Sequence, residues 1–258
     1  MIDLILSATI PPLLIAYFVY RNDLYEKEPH GLVIKTFFLG CALVIPMIVI
    51  EMVTELLFTN LFIFSLIGIA LVEEGVKYVA LLKFNYGKED FNEPYDGIVY
   101  SLIITMGFAL VENIMYVVNS GDMGSSVATL RTLTAIPMHA TCGIVMGYFL
   151  GLAKIEGENK TRNLVLAIVV PVLIHGLYNY FIFIELFALS LLIVVLGVRY
   201  SLKAIKIHQE KSPFKNNPEK TNYQPIFLST TSTSNLSSFR SLDIFDQPDL
   251  TYIWVAHS

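Results

Sequence analysis

Glu73, Glu74 and Lys77 stand inside an otherwise apolar run of this chain. Three further apolar runs carry Glu112 with Asn113, His139, and His175 with Asn179. These residue types do chemistry. A carboxylate takes a proton from water and passes it to a leaving amine. An imidazole relays a proton or binds a metal, and an asparagine amide donates to a developing oxyanion. Glu, His and Asn together make a plausible hydrolytic set. The same groups can also bind a divalent metal such as zinc, with His139, His175 and Glu112 as the candidate ligands, although no HExxH motif is present.

Spacing sharpens the pattern. Glu73 and Lys77 are i,i+4 neighbours, as are His175 and Asn179, and Glu74 and Lys77 are i,i+3, so each pair shares a helix face. A structural alternative has Glu73 and Glu74 only neutralise Lys77, and a Glu74–Lys77 pair beside a working Glu73 suits both views. A lone intramembrane histidine is often a hydrogen-bonded helix contact. Glu51 and Glu55 read as structural or as lying near the outer surface. His30, His208 and His257 fall in a loop or the tail and receive no role.

The elements that must position these groups are long and apolar. The runs are Leu4–Tyr20, Leu32–Phe58, Leu61–Leu82, Gly97–Val118, Thr132–Ala153, Leu164–Ile184 and Leu186–Leu202. The chain of 258 residues is 55% hydrophobic and 15% charged, with a mean hydropathy of +0.62. Soluble domains carry roughly 25% charged residues, and a helix crosses a bilayer in roughly 20. The runs are therefore expected to be membrane helices, since a helix satisfies its own backbone in lipid. The fold class is an all-α integral membrane bundle of about seven helices. Counting from the cytoplasmic end of each run, Glu73, His175, His139, Glu112 and Asn179 sit roughly 14 to 22 Å up, near the middle of a core about 30 Å thick. Ionisable groups at that depth mark a functional site by default. Gly143, Gly147 and Gly151 form a small-residue stripe suited to close helix packing.

Charge sets the expected orientation. With an external amino end, the internal loops hold Arg21, Lys27, Lys35, Lys83, Lys88, Lys154, Lys160 and Arg162, and the internal tail adds Arg199, Lys203 and Lys206 among others. The external side holds only Arg131. This asymmetry follows the positive-inside rule and predicts an amino terminus outside and a carboxyl terminus inside. Residues 1–203 form the membrane domain. Residues 204–258 form a cytoplasmic tail, basic at first and then Ser/Thr-rich through Ser229–Ser234, with the composition of a disordered segment.

Some classes are excluded. The net charge of -5, without a basic footprint, argues against a nucleic-acid partner. Cys41 and Cys142 fall inside apolar runs and lack metal-finger spacing. The first run lacks a basic leader and a cleavage site, so it is expected to be retained.

The motifs, in order, resemble a known family. Glu73-Glu74-Gly75-Val76-Lys77 is similar to the EExxK motif of the PrsW intramembrane proteases. Asp96-Gly97-Ile98-Val99-Tyr100 followed by Gly107-Phe108-Ala109-Leu110-Val111-Glu112-Asn113 resembles that family's DGIxY and GFAxxEN signature. Pro137-Met138-His139-Ala140 and His175-Gly176-Leu177-Tyr178-Asn179 resemble its two histidine motifs, and Lys27-Glu28-Pro29 its early KEP. The resemblance covers roughly residues 4–202. It implies a multi-pass protein of the bacterial cell membrane that hydrolyses peptide bonds of membrane-anchored proteins, with an anti-sigma factor cut during envelope stress as the best-known substrate. It also implies that Glu73 and Glu74 are essential. In the related CAAX-processing proteases an FxxxH motif supplies a histidine; here Phe108 to Glu112 ends in glutamate, and His139 is the candidate to supply the imidazole.

The expected mechanism is glutamate-dependent. Glu73 activates water, and Glu74 tunes it and pairs with Lys77. His175 and Asn179 polarise the scissile carbonyl, and Glu112 and His139 complete the site by proton relay or metal binding, with Asn113 in support. No cofactor is required in this reading; a zinc ion is the open alternative. Two other functions use the same residues: a proton-coupled transporter, which predicts inverted repeats that are not evident here, and a non-catalytic binder of membrane proteins.

Overall fold

The computed structural model describes residues 2–157 and 159–216, and every regular element among them is helical. The Ser/Thr-rich stretch expected at Ser229–Ser234 lies outside the described residues. The elements in chain order are α1 (Ile2–Arg21), α2 (His30–Leu57), α3 (Leu61–Ile63), a π-helical segment (Phe64–Ala70), α4 (Leu71–Phe84), α5 (Pro94–Asn119), a 3-10 turn (Gly121–Met123), α6 (Gly124–Leu133), α7 (Ala135–Gly151), a second π-helical segment (Leu152–Glu156), α8 (Lys160–Phe183) and α9 (Phe187–Glu210).

Six helical stretches are long and apolar enough to cross a membrane. The third apolar run of the sequence is helical throughout residues 61–84 but carries Glu73, Glu74 and Lys77. The protein is thus an all-α polytopic membrane protein. Its outer faces fit lipid: Ile45 is 70% exposed and Leu56 85%, values that in water would leave broad apolar patches.

Three boundaries differ from the sequence expectation. Ser120 to Ser126 reads as a polar turn, but the turn ends early and α6 begins at Gly124. The fifth run, expected from Thr132, is broken at Thr134, whose φ of -126° and ψ of -63° separate α6 from α7. The last helix continues to Glu210 rather than ending near Leu202. His208 is therefore a packed residue, fully buried, hydrogen-bonded through Nδ1 to the carbonyl of Pro94 at 2.8 Å and stacked on Tyr148 at 4.3 Å.

The helix α5 is the central post, buried along most of its length. Asp96 caps it: Oδ2 accepts from the backbone N–H groups of Asn92 and Glu93, each at 2.7 Å, and Pro94 opens the first turn without an N–H to satisfy. Glycine lets its neighbours approach. A Cβ on Gly147 of α7 would lie 2.2 Å from the Gly97 carbonyl oxygen of α5, and one on Gly40 of α2 would lie 2.0 Å from that of Ile104. These contacts hold α2 and α7 against α5 backbone to backbone, and so set the depths at which Glu112 and His139 face each other.

Candidate active site

The glutamate pair is presented by a distorted helix. The π-helical turn over Phe64–Ala70 ends just before Glu73. Such a turn admits an extra residue, rotates everything after it, and recurs at functional sites. It also loosens backbone carbonyls. The Thr54 hydroxyl donates to the carbonyl of Gly68 at 2.9 Å, and Gly176 of α8 packs so closely on Leu66 that a Cβ there would meet its side chain at 2.4 Å. These contacts tie α2 and α8 to the π-helical segment just ahead of residues 73–77.

Lys77 is fully buried between both carboxylates, with Nζ 2.9 Å from Glu74 Oε1 and 3.5 Å from Glu73 Oε2. Its ammonium also lies 4.0 Å from the centre of the Phe108 ring. Glu74 Oε1 is shared with His175 Nδ1 at 3.0 Å. The other nitrogen of that ring, Nε2, lies 3.9 Å from Glu73 Oε1. His139 stands beside it, with ring centres 5.1 Å apart and planes at 82°. One ligand atom from each of Glu73, Glu74, His139 and His175 falls within a 4.8 Å group, and all four residues are buried. Glu112 is outside this group. It accepts from His139 Nε2 at 2.8 Å and pairs with Arg131 at 2.9 Å.

Several buried atoms in the cluster have no hydrogen-bond partner: His139 Nδ1, Glu73 Oε2 and Glu74 Oε2. A buried polar group without a partner costs on the order of 1–3 kcal/mol. Such atoms, on one imidazole and two carboxylates of a buried group that also includes His175, suit a divalent metal that takes N and O ligands. In this arrangement Glu112 and Glu74 each engage one ring nitrogen of a histidine and leave the other available, the usual outer-shell role of carboxylates around metal-bound histidine.

The cluster opens on a cavity of about 610 Å³. Glu73, Glu112, His139, His175 and Asn179 line it; Glu74 does not. The lining continues to Glu55, Asn119, Ser120 and Phe183, at or near the carboxyl ends of α2, α5 and α8.

Not every expected residue lies at the centre. Asn113 faces away from the glutamate pair. Its amide donates to the Ala8 carbonyl at 2.9 Å, and its oxygen accepts from Arg131 Nε at 2.8 Å. Arg131, expected only as an external cation, lines the same cavity: it holds Glu112 and lies 4.0 Å from the Tyr116 ring centre. Glu51 and Glu55 belong to the cavity wall.

A second acidic group is not evident from the sequence. Asp23, Glu93 and Asp96 gather at the start of α5, with oxygen atoms within 4.8 Å of one another. Glu28 stands beside them, its carboxylate taking the hydroxyl of Tyr100, while the Ser212 hydroxyl donates to Glu93. Burial first, then the neighbouring Glu93, pushes Asp23 up to about 9. Burial and the charge of Asp96 push Glu28 up to about 12. Burial lifts Glu93 to about 7, against the hydrogen bond from Ser212.

Comparison with known proteins identifies the family. The profile described as "PrsW family intramembrane metalloprotease" matches residues 28–201. A Protease PrsW of Oceanobacillus iheyensis is 40% identical over 179 residues, 68% of this chain and 81% of that protein. The Protease PrsW of Bacillus subtilis is 37% identical over 181 residues, again 68% and 81%. That of Clostridioides difficile is 33% identical over 229 residues, 83% of this chain and 96% of its own length. No solved structure matches.

Proposed function

The chain belongs to the PrsW family of intramembrane proteases, and from that premise we propose that it cuts single-span, membrane-anchored proteins, an anti-sigma factor among them, at the buried Glu73–His175 cluster. It is a multi-pass membrane enzyme, and its substrates are membrane proteins. In this reading it resides in the bacterial plasma membrane with the amino terminus outside, and the cavity opens to the outer face. The observation that carries the proposal is the convergence of Glu73, Glu74, His139 and His175 within 4.8 Å at the base of a cavity large enough for a peptide segment.

The family is described as metalloproteases, and the residues fit that description. His139 through Nδ1 and His175 through Nε2, with a carboxylate of the Glu73–Glu74 pair, would hold a zinc ion. When bound, the metal supplies a water of lowered pKa and polarises a carbonyl. The chain's own residues do the rest. Glu73, the member of the pair that faces the cavity, takes the proton of the attacking water and returns it to the leaving amine. Asn179 donates to the oxyanion that forms on the scissile carbonyl. Glu74 fixes His175 and Lys77, and Glu112, anchored by Arg131, fixes His139. Burial keeps bulk water from competing at the bond being cut.

The test is co-expression with single-span membrane proteins, including an anti-sigma factor from the same genome. The wild type is compared with Glu73→Gln and His175→Ala at matched expression. A product made only by the wild type is expected. The same product from all three chains would assign the cut to another enzyme.

A further inference from the structure

The cavity wall contributed by α2 carries two carboxylates that the proposed chemistry does not use. Glu51 is half-buried, with Oε1 buried and without a hydrogen-bond partner. Glu55, one turn further along α2, is exposed and lines the same cavity. Neither takes part in any ion pair found among the described residues. The cation that lines this cavity, Arg131, is held by Glu112 at 2.9 Å and by Asn113 at 2.8 Å, and lies 4.0 Å from the Tyr116 ring centre. The α2 wall therefore presents two carboxyl groups without a cationic partner from the mouth inward, and at the half-buried Glu51 an unpaired charge is costly. A cationic group entering from outside relieves that cost.

We propose that Glu51, with Glu55 at the mouth, is a specificity site that receives a lysine or arginine side chain of the substrate. Its place relative to the cut follows from helix geometry. Glu51 lies roughly 9 Å of helix from the α2 end at Leu57, and Glu73 roughly 18 Å from the start of its own helical stretch at Leu61. Those two helix ends are joined by a short link, so Glu51 stands roughly 9 Å nearer the mouth than Glu73. An extended peptide covers about 3.3 Å per residue. The basic residue thus sits about two to four positions from the scissile bond, on the mouth side. The charge of Glu55 also favours entry of that end of the peptide, since like-signed groups line its path and focus the field.

The inference rests on the protease reading, and the experiment separates the two. Single-span reporters carry Lys, Ala or Glu at each of the three positions in question. Cleavage is measured with the wild type, Glu51→Gln and Glu51→Lys. Binding of the same reporters is measured by photocrosslinking to Glu73→Gln. The wild type is expected to prefer the Lys reporter over the Ala reporter by about tenfold in kcat/KM, carried mainly by KM, as for a charge-assisted contact. That ratio collapses toward one in Glu51→Gln, and Glu51→Lys comes to prefer the Glu reporter. Glu73-dependent cleavage that is indifferent to reporter charge would overturn this inference and leave the protease reading intact. Crosslinking that follows the Lys residue and Glu51, with no wild-type cleavage, would keep the basic-residue site and overturn the protease reading. Neither cleavage nor charge-dependent crosslinking would overturn both.

Discussion

His139 Nε2 lies 2.8 Å from Glu112 Oε2, while Nδ1 on the opposite side of the same ring is buried with no partner. The pair orients the imidazole. With Nε2–H donated to Glu112, Nδ1 keeps its lone pair, and His139 belongs to the 4.8 Å group formed with Glu73, Glu74 and His175. Asn113 and Arg131 extend the same chain of contacts to α1 and α6.

This arrangement makes a prediction about metal. Purified protein is expected to hold close to one equivalent of zinc by elemental analysis, and chelation is expected to abolish cleavage until zinc is restored. Glu112→Ala removes the orienting carboxylate while sparing every candidate ligand of the 4.8 Å group, so it should weaken metal retention by about 10- to 100-fold. Full activity in metal-free protein would remove the metal from the mechanism.

Glu73 and Glu74 are adjacent in sequence but should differ in phenotype. Glu73 lines the cavity, and its removal leaves Lys77 paired to Glu74 at 2.9 Å. Glu73→Gln is expected to lose activity by about a hundredfold to ten-thousandfold with little change in thermal unfolding. Glu74 neutralises a fully buried Lys77 and anchors His175. Glu74→Gln strips the closer counter-ion from that lysine, which costs about 3–5 kcal/mol when a buried pair is broken. It should therefore lose stability as well as activity, and unfolding in detergent read beside cleavage rates distinguishes the two.

Much of the site is legible in the amino-acid sequence. Glu73, Glu74, His139 and His175 stand out because charge inside an apolar run is costly and so conspicuous. A similar depth along separate runs already points to one site. Arg131 is not legible in the same way, since an arginine at the edge of a run ordinarily meets water; only the fold shows α6 turning it back onto Glu112. The π-helical turn before Glu73 has no distinct composition, because Phe64–Ala70 is as apolar as an ordinary membrane helix. Asp23, Glu28, Glu93 and Asp96 fall in charged loops, where carboxylates look solvated. Their burial comes from α9 running on past Leu202 to pack His208 and Ser212 against the start of α5.

Close approach of α5 and α7 should be sensitive to a single methyl group. A Cβ on Gly147 would meet backbone, the Gly97 carbonyl oxygen, at 2.2 Å, and backbone cannot rotate away. Gly147→Ala is expected to lower stability by about 1–3 kcal/mol and to reduce cleavage, because the shift moves His139 relative to Glu112. At Gly75, inside the EEGVK segment, a Cβ would have nothing within 4 Å. Gly75→Ala should keep the fold and gain about 0.5–1 kcal/mol from helix propensity. Thermal unfolding of the two variants in one detergent checks both signs.

The acidic group at the start of α5 sets a pH dependence of stability. Asp23 at about 9, Glu28 at about 12 and Glu93 at about 7 all stand above the ordinary carboxylate range, chiefly through burial. An acid whose folded pKa is raised keeps its proton in the folded state after the unfolded chain has lost its own. Between about pH 4, where unfolded carboxylates titrate, and the folded values, the native state binds more protons, so stability falls as pH rises. The groups that face one another here are Asp23 and Glu28 from the first loop, Glu93 and Asp96 at the start of α5, and nearby Glu26 and Lys27. The unfolding temperature is expected to decline steadily from about pH 5 to about pH 9. Asp23→Asn supplies permanently the uncharged form that the fold prefers. It should raise the unfolding temperature at about pH 8, leave it nearly unchanged at about pH 5, and flatten the slope between them. A variant less stable than wild type at both pH values, with the slope intact, would show that Asp23 is held as a carboxylate and that its charge supports the fold.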